Sequence, residues 1–260
     1  MKLSDIKTKS VTKPPRLVIY GPAGIGKTSF AASMLDPIFV QTEDGLGQID
    51  VPHFPLAKTF EEVMTALDTL INEKHEYKTV VVDSIDWLEG LVWKYTCQQH
   101  GKNSIEEFGF GKGYVEALGN WRKYIDKLNT LRDECSMTVC QIAHAEQKVV
   151  NQPDTEPFDR WQIKLNKRAS DLVQEHADIV GFCNTKTVIK KSEGQGGRQY
   201  QKAVTDSFRY MYCHVDPARI AKNRYGITAE LPLDWETIRA AILAAPQKPE
   251  TKEPAKEAAE

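Results

Sequence analysis

Short apolar runs alternate with helical patterns along the first two thirds of the chain. The apolar runs are rich in β-branched residues and predict buried strands at 16–20, 38–41, 79–83 and 137–143. Residues 59–74 carry an apolar stripe at helical spacing, and Thr59-x-x-Glu62 predicts a capping box at the start of that helix. Buried strands separated by helices are typical of a parallel sheet covered on both faces.

The pattern changes after Asp178, where several of the apolar runs are separated only by turns. Four short runs in this part predict strands at 179–183, 187–191, 199–205 and 208–214. Strands joined by tight turns pair in antiparallel fashion. We therefore predict an α/β fold with a mostly parallel central sheet, helices on both faces and a C-terminal antiparallel extension.

Composition indicates one folded domain with two polar ends. Of the 260 residues, 41% are hydrophobic, which is enough for a large core within 14–245. Residues 1–13 are polar and lysine-rich and predict a flexible basic arm. Residues 246–260 contain no large apolar side chain and predict a disordered tail.

Charge and targeting signals exclude two classes of protein. The 34 basic and 36 acidic residues give a net charge of −2, which excludes binding of nucleic acid by bulk charge but leaves room for a local basic patch. The chain has no run of about 18 apolar residues, and its start has no apolar signal core. We therefore expect a cytoplasmic protein without membrane contact, whose five scattered cysteines are reduced thiols.

The strongest motif lies between the first strand and the helix that follows it. Gly21-Pro22-Ala23-Gly24-Ile25-Gly26-Lys27-Thr28 matches the phosphate-binding pattern G-x-x-x-x-G-K-[ST] at every position. The glycines let backbone N–H groups point at phosphates, the lysine reaches the β- and γ-phosphates, and the threonine hydroxyl ligates Mg²⁺. The motif predicts that 21–29, which ends in Ser29, binds ATP with Mg²⁺.

Two acidic residues complete this predicted site. Asp83 ends the strand Val80-Val81-Val82-Asp83, where a second magnesium contact is expected beside a phosphate-binding loop. The next residue is Ser84 rather than a glutamate, so the carboxylate that activates water must come from elsewhere. We assign that role to Glu43 at the end of Phe39-Val40-Gln41-Thr42-Glu43, with Asp44 as its rival.

These three segments, in this order, resemble the RecA-type branch of the P-loop ATPases. Closer still, the chain resembles phage-encoded RecA-like ATPases with an AAA-type ATP-binding domain, which consist of the core alone and are similar to the core of Rad-type recombinases. The resemblance spans about 15–242 and includes Val82-Asp83-Ser84-Ile85-Asp86-Trp87-Leu88, Phe110-Gly111-Lys112-Gly113-Tyr114, Ile142-Ala143-His144 and Lys222-Asn223-Arg224-Tyr225-Gly226. Several such proteins anneal single strands, which implies single-stranded DNA as a partner.

The resemblance also implies roles for residues outside the loop. His144 stands where RecA-like proteins sense the γ-phosphate with a polar side chain, and Gln141 is the alternative. Lys222-x-Arg224 resembles the cationic pair that such subunits extend to a neighbour's ATP. Hydrolysis would then need a homo-oligomer, as a ring or a filament.

Three segments are candidates for contact with nucleic acid. Residues 108–114 interleave aromatic residues and glycines with Lys112, a combination that suits base stacking beside phosphate contact. The polar stretch 145–168 contains Lys148 and Arg160, and the resemblance implies a mobile DNA-binding loop that starts there. The third segment, 186–202, has one acidic residue against five basic ones, among them Lys190, Lys191 and Arg198.

The sequence leads to one preferred function and two alternatives. The preferred one is an ATP-dependent, single-stranded-DNA-binding protein that promotes annealing or homologous recombination in phage DNA metabolism, in the host cytoplasm, with a single-strand-binding protein as a further partner. The alternatives are a P-loop kinase for a small molecule and an ATP-gated loader or adaptor for a helicase. A GTPase is disfavoured because the chain has no N-K-x-D motif.

Overall fold

The structure is a computed structural model that describes residues 13–153, 155–193 and 199–244, with backbone only for 187–193 and 199–207. The predicted arm, apart from Lys13, and the predicted tail lie outside the described residues. The strands are β1 (Arg16–Gly21), β2 (Pro37–Gln41), β3 (Thr79–Asp83), β4 (Thr138–Val150), β5 (Phe158–Ile163), β6 (Ile179–Glu193), β7 (Gln199–Tyr212), β8 (Lys222–Asn223) and β9 (Leu231–Pro232). The helices are α1 (Lys27–Ala32), α2 (Phe60–Asn72), α3 (Ile85–Gln99), α4 (Lys112–Asp133), α5 (Lys167–His176) and α6 (Trp235–Leu243), with a 3-10 turn at Ile105–Phe108.

The described strands form one sheet in the order β2-β3-β4-β1-β6-β7-β9. The strands from β2 to β6 in this order run parallel, and β7, β8 and β9 add to them in antiparallel pairs. The α/β fold class, with its parallel centre and antiparallel extension, is therefore confirmed. Because parallel strands end at the same edge, the register brings Gly21 beside His144 and Gln41 beside Asp83.

Alternate residues of the central strands pack into two separate hydrophobic cores, one on each face of the sheet. Val18, Val80 and Val82 face α2, α3, α4 and α5 on one side. Leu17, Ile19 and their neighbours face α1 and α6 on the other side. Side chains of successive strand residues point to opposite faces, so an all-apolar strand requires cover on both. None of the helices in the described part of the chain has the length and apolar character needed to cross a bilayer.

Local signals predicted several boundaries closely. The capping box of α2 is present: the Thr59 hydroxyl accepts from the Glu62 N–H, and the Glu62 carboxylate accepts from the Thr59 N–H. These bonds satisfy donors that the first helical turn leaves without partners. The third strand has the predicted bounds, from Thr79 through the β-branched run to the terminal acid Asp83.

Three elements differ from the prediction. β4 continues beyond the sheet and pairs with β5, so most of the predicted mobile loop at 145–168 is an antiparallel hairpin followed by the start of α5. The four short strands after Asp178 are two long ones, β6 and β7, joined across a register shift between Thr185 and Thr187. In both places polar residues interrupt the apolar pattern, so hydrophobic periodicity does not detect the strand. The strands form nevertheless, because the hydrogen bonds between strands use only backbone groups. β2 ends at Gln41, so Glu43 lies in the loop beyond the strand.

Candidate active site

The loop between β1 and α1 forms an anion-binding cradle. Gly24 and Gly26 have φ angles of 75° and 98°, a region that strains residues with a β-carbon. The ammonium of Lys27 donates to the carbonyl oxygens of Gly21 and Pro22, both at 3.0 Å. Burial lowers the pKa of Lys27. A glycine-rich loop with an ammonium at its base favours a bound phosphate chain.

Thr28 and Asp83 form an oxygen pair beside this loop. The Thr28 hydroxyl donates to Oδ2 of Asp83 at 2.9 Å, and the Asp83 side chain is buried. Burial raises the pKa of Asp83 to about 6. Hydroxyl and carboxylate oxygens are the ligands that Mg²⁺ prefers, and a cation here would offset the cost of burying the charge. The two side chains therefore fit a magnesium ion, which would neutralise charge on the phosphates.

Glu43 lies on the other side of Asp83 and is held by two neighbours. Its Oε2 accepts a hydrogen bond from the Ser84 hydroxyl at 2.6 Å and lies 3.8 Å from Nδ1 of His144. The loop after β2 is itself fixed, because the Thr42 hydroxyl donates to the Ser84 carbonyl at 2.6 Å. The Ser84 hydroxyl therefore orients the Glu43 carboxylate.

His144 is tied to the start of α3 through Asp86. Asp86 accepts from the backbone N–H of His144 at 3.0 Å and from its Nδ1 at 2.9 Å. The Asp86 hydrogen bond raises the pKa of His144. Since an ionised carboxylate only accepts, Nδ1 carries the proton. Glu43, Asp86 and His144 offer ligand atoms within 4.8 Å of one another.

Most of these groups line one cavity of about 430 Å³. It is lined by Ala23, Gly24 and 26–29 of the loop, and by Glu43, Asp83, His144 and Arg209. Of the predicted loop contacts, Gly21, Pro22 and Ile25 do not line it. Ile25 instead packs into the core shared with α1 and α6.

The sequence left two choices open, His144 or Gln141 and Glu43 or Asp44, and the structure places the two members of each pair in different surroundings. Gln141 is fully buried, and its Oε1 accepts from the Tyr124 hydroxyl at 3.1 Å, away from the cavity that His144 lines. Asp44 is exposed and lines a different cavity with Leu46 and His53. The roles of His144 and Glu43 stay predictions, but their rivals point elsewhere.

Lys222 and Arg224 lie far from this cavity in their own chain. β8 pairs with the first residues of β6, at the edge of the sheet opposite the phosphate-binding loop. Lys222 donates to the carbonyls of Gln174 and Glu175 at the end of α5, and Arg224 pairs with Asp178 at 3.1 Å. These bonds hold both side chains near the start of β1, whereas the loop follows its end. Their predicted contact with a neighbour's ATP is untested.

The predicted nucleic-acid residues fall into two described groups. Lys112 begins α4 beside the fully exposed ring of Phe110. Lys148 and Arg160 face each other across the β4–β5 hairpin, where Lys148 pairs with Glu146 and Arg160 donates to the Pro217 carbonyl. The side chains of Lys190 and Lys191, and the whole of Arg198, lie outside the described residues.

Sequence reasoning missed two residues of the site. Asp86 has a local signal, since it lies three residues after Asp83, but its contact with His144 depends on the fold. Arg209 had no such signal, since it reaches the loop from β7 only when the sheet is assembled.

Comparison with known proteins agrees with this geometry. A family model described as an AAA domain matches residues 13–225. The chain belongs to the AAA domain family. Members of this family are P-loop nucleoside triphosphatases, and the match supports a nucleotide hydrolase domain in general. The AAA domain covers every strand from β1 to β8.

A curated relative is the SPbeta prophage-derived uncharacterized protein YorG of Bacillus subtilis (strain 168). It is 28% identical over 190 residues, which make up 68% of this chain and 54% of that protein. The chain thus spans about half the length of this relative.

Proposed function

We propose that the protein hydrolyses ATP with Mg²⁺ and couples this reaction to the binding of single-stranded DNA during phage recombination. The observation that carries the proposal is the arrangement of Lys27, Thr28, Asp83 and Glu43 around one cavity. Similarity to a prophage-derived protein supports the phage setting and hence the cytoplasm of a host cell.

In the proposed reaction, water attacks the γ-phosphorus of ATP bound in the loop. The Glu43 carboxylate accepts the water proton as the new oxygen–phosphorus bond forms, and the bond to the β–γ bridging oxygen breaks to release ADP. Lys27 exchanges its carbonyl partners for phosphate oxygens, and Thr28 with Asp83 would hold Mg²⁺, which would neutralise charge on the phosphates. The hydrogen bond from the Ser84 hydroxyl fixes the orientation of the Glu43 carboxylate.

His144 offers a connection between nucleotide and DNA. It lines the cavity, and it stands at the point where β4 leaves the parallel sheet and continues into the β4–β5 hairpin. Its carbonyl accepts from the Lys164 N–H at 2.9 Å, which closes the base of the hairpin. A change of hydrogen bonding at His144 when the γ-phosphate leaves would therefore act on the hairpin directly.

Two segments that are distant in sequence form a surface suited to single strands. A cavity of about 480 Å³ is lined by two groups of residues, which are Phe110, Gly111 and Tyr114 from one segment and Asn166, Lys167, Arg168 and the single acid Asp171 from the other. An exposed ring beside cations favours base stacking with phosphate contact and reads no particular sequence. The proposed partners are single-stranded DNA, further copies of the chain in a ring or filament, and a single-strand-binding protein.

The first test is phosphate release from Mg-ATP with and without single-stranded DNA. We expect DNA to stimulate turnover, and Lys27→Ala to abolish it. Turnover that ignores DNA would contradict the coupling, and transfer of phosphate to a small acceptor would instead support the kinase alternative.

A second test concerns the DNA surface itself. Lys167→Gln with Arg168→Gln should weaken binding of a single-stranded oligonucleotide severalfold and reduce its salt dependence. Arg122→Gln with Lys123→Gln removes two exposed positive charges further along α4, so this charge-matched control should bind as the wild type does. Equal binding by all three proteins would remove this surface from the proposal.

A further inference from the structure

Arg209 reaches the phosphate-binding loop from the antiparallel extension of the sheet. On β7 it pairs with Thr185 of β6, and its guanidinium lies against Gly26. A β-carbon on Gly26 would come within 2.5 Å of Nη1 of Arg209. The same guanidinium lines the cavity that contains Lys27 and Thr28. A permanent cation of the same chain therefore stands at the mouth of the cradle.

The backbone of Arg209 is anchored, whereas its guanidinium is not. The Arg209 carbonyl accepts from the Leu233 N–H at 2.8 Å, where β9 joins β7. No hydrogen bond or ion pair joins the guanidinium to another residue in the part of the chain that the structure describes. By contrast, Lys222 and Arg224 are bonded to α5 and Asp178 at the opposite edge. An arginine with five donors and no acceptor among the described residues, beside a phosphate cradle, suits an anionic ligand.

We propose that Arg209 donates hydrogen bonds to the phosphate oxygens of the nucleotide bound in the loop of its own subunit. This inference rests on the proposed binding of ATP and adds a ligand-contacting residue to it. It adds a second cation of the same chain, beside Lys27, to the groups that contact the phosphates. A cation from a neighbouring subunit would then be a third.

The test is calorimetric binding of Mg-ATP and of inorganic tripolyphosphate to the full chain. Arg209→Gln should weaken binding of both ligands by about tenfold or more, as expected for loss of a charge-assisted hydrogen bond. Arg239→Gln removes an exposed arginine on α6 and is the matched control, with unchanged affinity expected. Circular dichroism confirms that each variant is folded.

Two results would overturn the proposal. One is affinity in Arg209→Gln equal to that of Arg239→Gln for both ligands. The other is weaker binding of ATP with unchanged binding of tripolyphosphate, which would assign Arg209 to the base or sugar. Wild-type protein that binds neither ligand would overturn the proposed function itself, so the two failures are distinguishable.

A mixing experiment tests whether the contact is made within one subunit. Arg209→Gln and Lys27→Ala chains are each measured alone and then combined. A contact within one subunit predicts that the mixture hydrolyses ATP at the mean of the two separate rates. A rate well above that mean would show that one chain supplies Arg209 to the loop of another, and would contradict the inference.

Discussion

Glu89 should make the stability of this domain depend on pH. It lies on α3 with 5% of its surface exposed, and both of its carboxylate oxygens accept from the Asn166 N–H at 3.1 and 3.0 Å. Burial, with smaller effects from Asp86 and Glu146 against Lys148, raises its pKa from 4.5 to about 7. The native state therefore holds the Glu89 proton more tightly than the unfolded chain does.

The size of the effect follows from this difference in pKa. The contribution of Glu89 to stability is fully present below about pH 4.5 and is lost as the pH rises to about 7. Relative to its value well below pH 4.5, this difference lowers the free energy of unfolding by about 1 kcal/mol at pH 5 and by about 3 kcal/mol at pH 8. Because Glu89→Gln carries no charge, its stability relative to the wild type should rise by about 2 kcal/mol between these pH values.

The assay is urea unfolding of both proteins at pH 5 and pH 8. Comparison across pH isolates the charge, since the packing of the amide contributes equally at both values. A thermal scan should show the same trend as a gain of about 4–8 °C. Glu116→Gln, at an exposed position on α4, is the control and should change with pH by less than about 0.5 kcal/mol. A constant difference between Glu89→Gln and the wild type, or a relative loss of stability at pH 8, would refute the reasoning.

Three further predictions concern packing, a buried charge and catalysis. Gly113→Ala should lower the free energy of unfolding by about 2 kcal/mol or more, because the new β-carbon would come within 2.3 Å of the Ile105 carbonyl oxygen. Gly119→Ala, on the same helix, brings its β-carbon within 4 Å of no other atom and should raise the free energy of unfolding by about 0.5–1 kcal/mol. Urea unfolding measures both. Asp178→Asn leaves three arginines around a neutral side chain and should cost about 3 kcal/mol in the same assay, whereas a cost below about 1 kcal/mol would contradict that account. Glu43→Gln should bind Mg-ATP as the wild type does but lower turnover at least a hundredfold, and wild-type turnover would remove it from the mechanism.

Local sequence signals predicted the parts of the site that depend on neighbouring residues. The glycines, Lys27 and Thr28 are contiguous, and Asp83 ends an apolar run, so both could be found by pattern alone. The bonds around Glu43 could not, because its partners Ser84 and His144 come from two other strand ends. Only the parallel register brings those ends to one edge.

The chain after Asp178 shows the limit of hydrophobic periodicity. Periodicity detects strands by the side chains that face a core, and it predicted an antiparallel extension correctly. It broke β6 and β7 into pieces and treated most of the β4–β5 hairpin as loop, because polar residues interrupt the apolar pattern along these strands. Backbone pairing alone extends these strands, and pairing partners are not encoded locally.

The sequence by itself determined the fold class, the phosphate-binding loop and the acid at the end of β3, because each depends on covalent neighbours and on the spacing of apolar residues. The tertiary structure decided which polar groups meet. In the folded chain Gln141 lies in the core and His144 lines the cavity. Lys222 and Arg224 lie at the opposite end of the sheet, and Arg209 contacts Gly26. The physical reason is that strand order and register set these distances, and both are properties of the assembled sheet.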